Sequence, residues 1–237
     1  RQPVYIDTPT MTCEVDAYID AIGPDTRIVF VTNPHSPSGT WLEEADVRRI
    51  VEAAPHALVA LDEAYVHYSD TPGYIHLAAE YDNLIVLRTF SKAFGLAGLR
   101  LGFGVAHPNL IPPLLAVKPT WNVGRLQIAG GIAALTDDEH VDRTITAILE
   151  GKAHATARFA ELDRFRLVPG TRSNFMLIEI LDPDTDSTLV FKDLLERGVI
   201  VKDGSVSFRG LEKRYLRSDI NLPHRMDHLV DALADLP

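Results

Sequence analysis

"NLIVLRTFSKAFGLAGLRLGFGVA", Asn83 to Ala106, decides how the chain is read. Leu84 to Leu87 is an unbroken apolar run, the pattern of a strand buried in a parallel sheet rather than one with a wet face. It ends in Ser91 and Lys92, a hydroxyl beside a single amine. Gly95, Gly98 and Gly102 follow, with Arg100 among them, and "LGFGVA" then reads as another strand. In open parallel sheets, ligands bind beyond the carboxyl ends of the strands.

Similar runs lie on the N-terminal side. "RIVFVT" (27–32) reads as a strand ending at Asn33, and "ALVALDEAY" (57–65) as one ending at Asp62 and Tyr65. Between them, "EEADVRRIVEAA" (43–54) places Val47, Ile50 and Val51 at helical spacing on one face. Strands alternating with helices indicate a mostly parallel sheet covered by helices. From Trp121 to Leu162 the pattern is helical, with expected breaks near Thr136 and Gly151 and an acidic first turn from Asp137. Beyond it, "FRLVP", "NFMLIEI", "VIVKD" and "YLRSDI" read as short strands. "TLVFKDLLERG", closed by Gly198, and "RMDHLVDALADL" read as helices. The expected organisation is an α/β large domain over 1–138 and a smaller α+β domain over 139–237.

Composition narrows the function classes. The chain has 237 residues, 46% apolar and 24% charged, with a formal net charge of −10. An acidic surface argues against nucleic-acid binding, which depends on neutralising phosphates. Cys13 is the single cysteine, so neither a disulfide framework nor a cysteine-based zinc site can form. His224 and His228 lie one helical turn apart without an evident third ligand, so no metal site is expected. The sequence contains no export signal, no apolar stretch of membrane length and no glycosylation sequon, and a cytoplasmic location is expected.

Asn33, Asp62, Tyr65, Ser91 and Lys92 would thus gather at one sheet edge. Pyridoxal phosphate calls for such a set: an amine for its aldehyde, a carboxylate at its ring nitrogen, donors to its ring oxygen and a grip on its phosphate. "NPHSPSG" (33–39), "LDEAY" (61–65) and "RTFSKAFGLAGLRLG" (88–102), in this order and spacing, resemble the fold-type I pyridoxal-phosphate-dependent aminotransferases. The likeness is greatest to their histidinol-phosphate branch.

The resemblance implies roles. Lys92 would be the catalytic amine, condensing with the cofactor and moving the proton. Asp62 would hold the ring nitrogen, and Tyr65 and Asn33 would donate to the ring oxygen. Ser91 and Arg100, with Thr89 as a further donor, would hold the phosphate. Arg217, in "YLRSDI", would pair with a carboxylate or phosphate of the substrate, and Asn174 would lie near it. The implied partners are small amino-acid and keto-acid substrates, and a second copy of the full-length chain in a homodimer.

Some positions depart from the family pattern. Ser36 and Ser38 stand where asparagine and threonine are usual. Lys202 stands where many members of the branch have arginine, and "SDINLPH" follows Arg217 in place of a threonine-containing strand end. Family members also carry about a third more chain before the segment matching "PVYIDTPT". That part supplies phosphate-binding amides, a ring-stacking aromatic and much of the dimer interface. The expectation is a fragment or a shortened relative, binding cofactor poorly alone and exposing strand edges and apolar faces. Two further readings are open: a threonine-phosphate-type decarboxylase, which "PTWNVGRLQIAGGIAALTD" (119–137) would also suit, and a truncated, non-catalytic relative.

Overall fold

A computed structural model of the chain describes residues 2–8 and 10–236. Its elements fall into two units. The first comprises residues 1–4, 14–34 and 41–144; the second comprises 5–13, 35–40 and 145–237.

The apolar runs of the first unit become strands β1 (Ile28–Thr32), β2 (Leu58–Asp62) and β3 (Leu84–Thr89), with helices α1 (Val15–Ala21) and α2 (Glu44–Ala53) around β1. The three strands are parallel, in the order β1-β2-β3. Strand β4 (Gly102–Ala106) then runs antiparallel to β3, returned by the loop between them. Val47, Ile50 and Val51 of α2 are buried, as their spacing predicts. Asn83 ties α2 to the start of β3, its Nδ2 donating to the Val51 and Ala54 carbonyls. The outer edge of the unit is less covered than a continuous apolar strand suggests. Alternate residues of β1 face outward, leaving Ile28 51% and Phe30 66% exposed. Short helix α3 (Ile111–Val117) and helix α4 (Arg125–Leu135) follow; Gly131 is the one buried residue of the two.

Helix α5 (Asp138–Phe159) spans the division between the units. Asp138 and Glu139 form the expected acidic first turn, and Asp137 accepts from the His140 amide. The break expected at Gly151 does not occur. The helix continues through it, and the position requires glycine because a Cβ there would lie 2.0 Å from the Asn221 carbonyl oxygen. Glycine at this point allows close backbone approach, which outweighs its cost of about 1 kcal/mol inside a helix.

The second unit is a four-stranded antiparallel sheet built from β5 (Phe165–Leu167), β6 (Phe175–Ile180), β7 (Lys202–Asp203) and β8 (Tyr215–Asp219), in the order β5-β6-β8-β7. Helices α6 (Ser187–Glu196), α7 (Gly204–Ser207) and α8 (Pro223–Ala234) complete it. Phe159, Phe165, Ile178, Ile180, Leu194, Leu216, Leu229 and Leu233 share one buried cluster. Strand β7 is shorter than "VIVKD" suggests: after two residues Asp203 turns to cap α7, accepting from the Ser205 amide. No described helix is long and apolar enough to cross a membrane.

Candidate active site

The parallel register brings three strand ends level. Thr32 pairs with Asp62, and Asp62 with Leu87. The ladder runs one residue further, since the Asn33 amide donates to the Asp62 carbonyl and the Glu63 amide to the Leu87 carbonyl, both at 2.9 Å. The side chains of Asp62 and Glu63 then leave by opposite faces, as successive strand residues must.

Beyond β3 the chain makes a tight turn. Gly95, at φ 70°, donates its amide to the Lys92 carbonyl at 2.9 Å, a geometry that residues with a Cβ adopt only under strain. Phe90 and Ala93 are buried and anchor the turn, while Lys92 between them is half-buried. Thr89 Oγ1 accepts from the Ser91 amide at 3.1 Å and fixes the start of the turn. Lys92 Nζ lies 5.0 Å from the centroid of the Tyr65 ring, within cation–π range. Burial pushes the Asp62 carboxyl above the usual carboxylate range, while the Ala64 amide and the Lys92 charge pull it back. Asp62 Oδ1 accepts that Ala64 amide at 2.9 Å. Asp62, Tyr65, Thr89, Ser91 and Lys92 therefore converge on one rim of the sheet.

Two other predicted residues of this unit sit differently. Asn33 is fully buried, and both ends of its amide are used: Nδ2 donates to the Leu42 carbonyl at 3.0 Å and Oδ1 accepts the Leu42 amide at 2.8 Å. Arg100 occupies the left-handed region at φ 53°, a conformation costing about 1 kcal/mol or more for a residue with a Cβ. Its guanidinium is exposed and makes one hydrogen bond among the described residues, to the Ala97 carbonyl at 2.9 Å.

Residues that motif reading overlooks support this rim from behind. Glu63 has no solvent exposure and accepts from Arg88 Nε at 3.0 Å and Nη2 at 2.7 Å, as well as from the Tyr74 amide. The available signal was an arginine inside an apolar strand, since a buried charge needs a partner. His67 meets Phe94 edge-on at 5.1 Å, and its Nδ1 is buried without a hydrogen-bond partner. Burial, helped by the Arg88 charge, lowers its pKa.

Arg217 and Asn174 belong to the second unit. The Arg217 guanidinium lies 4.1 Å from the Phe175 ring centroid, and its Nη1 donates to Ser36 Oγ at 3.2 Å. Lys202 lies directly opposite Arg217 across β7 and β8. Like charges so placed repel, an arrangement that a bound anion relieves. Among the described residues Asn174 Oδ1 is buried without a hydrogen-bond partner. No described cluster of histidine, cysteine or acidic residues could hold a metal.

Residues 2–233 match the family model for aminotransferase class I and II. The chain belongs to this family. A histidinol-phosphate aminotransferase of Symbiobacterium thermophilum is 38% identical over 94% of the chain and 60% of its own length. The family fold is equally evident in solved structures. That of histidinol-phosphate aminotransferase from Sinorhizobium meliloti, in complex with pyridoxal-5'-phosphate, superposes with a TM-score of 0.84 at 24% identity, over 94% of this chain and 60% of that one. The L-threonine-O-3-phosphate decarboxylase of Porphyromonas gingivalis superposes at 0.79 with 23% identity, over 90% and 65%. The chain spans 54 to 60% of the length of the first two curated relatives it matches.

Proposed function

We propose that the full-length protein is a cytoplasmic pyridoxal-phosphate-dependent aminotransferase of the histidinol-phosphate type, moving an amino group between small anionic substrates. The observation that carries this reading is the Lys92 amine 5.0 Å from the Tyr65 ring, with its charge acting on Asp62 at the end of the neighbouring strand. When bound, pyridoxal phosphate supplies an aldehyde for an amine and a ring that draws electrons from the reacting carbon.

The donor set fits this cofactor. Lys92 offers the amine, and Asp62 a carboxylate for the ring nitrogen. A positive group beside Asp62 would hold it ionised against the upward push of burial. Tyr65 offers a donor to the ring oxygen. Ser91, Thr89 and the planar, permanently charged Arg100 offer a phosphate grip. Lys92 takes a proton from the substrate carbon and returns it in this reading, the general-base role. In the second unit, Arg217 and Lys202 offer a grip for an anionic group and Asn174 Oδ1 offers an acceptor. The exposed apolar side chains of β1 and α4 support a homodimer of the full-length chain.

The test is turnover of the full-length protein with pyridoxal phosphate, histidinol phosphate and 2-oxoglutarate. Glutamate should form, and Lys92→Ala should cut kcat by ~10⁴-fold or more. The likeness to the threonine-phosphate decarboxylase favours a second reading on the same residues. Carbon dioxide released from an O-phosphoamino acid without nitrogen transfer would select it. Failure to take up cofactor would overturn both readings and leave a non-catalytic relative.

A further inference from the structure

Anion recognition by Arg217 leaves one neighbour unexplained. The Arg217 side chain is only 10% exposed, yet Nη2 donates to Oδ1 of Asp219 at 3.3 Å, and Asp219 is itself 73% exposed. The two residues are two apart on β8 and therefore share a face. Ser36 and the Phe175 ring hold the guanidinium from other sides. Among the described residues the Asp219 carboxylate has that one long hydrogen bond, and its charge stays in water. Arg217, with Lys202 opposite it across the ladder, thus carries one loosely held carboxylate beside it.

We propose that Asp219 is a resident internal counter-ion that weakens anion binding at Arg217 and penalises dianions more than monoanions. The inference rests on the reading of Arg217 as anion-binding. A resident negative charge lowers the potential at the subsite by a fixed amount, so its cost scales with the charge of the ligand. At a separation of about 6 Å in a water-like dielectric, removing it should tighten a monoanion ~3-fold and a dianion ~10-fold.

The experiment measures sulfate and acetate binding to the cofactor-loaded full-length protein, by calorimetry and as competitive inhibitors. In Asp219→Asn, sulfate should tighten ~10-fold and acetate ~3-fold. Unchanged affinities, weaker binding or equal gains for the two anions would overturn the proposal. Arg217→Gln separates the two layers. If it fails to weaken sulfate, the anion reading of Arg217 falls and this inference with it. If it weakens sulfate while Asp219→Asn changes nothing, only the counter-ion role falls.

Discussion

The two units differ in how completely each buries its own apolar surface. The second closes its sheet and helices around one cluster that includes Phe165, Ile178, Leu194, Leu216 and Leu233. The first carries the reactive rim but leaves apolar faces open, with Trp121 94% and Leu126 81% exposed besides the outward side chains of β1. Beyond Arg125 and Gln127, helix α4 holds only apolar residues and glycine, a pattern that suits a helix covered on most sides. The unit with the chemistry thus depends on covering that the described residues do not provide, whereas the second is self-sufficient in its core. A cofactor rim can be precise locally, through turns and strand ends, without the surrounding surface being closed.

The sharpest way to break this comparison is to cut equivalent leucines. Leu194→Ala in the buried cluster should lower the stability of the full-length protein by about 2–5 kcal/mol, read from its urea midpoint. Leu126→Ala in this chain expressed alone should change stability by less than ~0.5 kcal/mol. A large loss for Leu126→Ala in the isolated chain would show that α4 is already packed. The second unit also has a weak point of its own. Burial lowers the pKa of His35 to about 4, and the ring shares a 2.9 Å hydrogen bond with Ser38. Above pH 6.5 His35 is neutral whether folded or unfolded, so it contributes no pH dependence there. As pH falls from 6.5 towards 4 the unfolded chain takes a proton that the folded one refuses. That should cost the native state up to ~3 kcal/mol. The loss should flatten in His35→Gln; an identical acid slope in the variant would remove His35 from the account.

Much of this was legible in sequence, for physical reasons that differ by residue. The strand runs of β1, β2 and β3 and the buried face of α2 follow from apolar spacing alone. The antiparallel return of β4 does not, because direction depends on the loop and not on the strand's own residues. Gly151 reads locally as a break, and only the distant Asn221 carbonyl explains why a glycine stands inside the helix. Lys92, Asp62 and Tyr65 were legible because each closes or follows a buried strand. The engagement of Asn33 with Leu42 was not, since that partner comes from a loop nine residues on. The Glu63–Arg88 pair hid beside Asp62, on the opposite face of the same chain.

The central claim is that Lys92 is the amine that meets the cofactor. Full-length protein incubated with pyridoxal phosphate, reduced with borohydride and digested should yield one modified peptide, carrying its label on Lys92. A label on Lys118, Lys152 or any other lysine, or no label at all, would contradict the account.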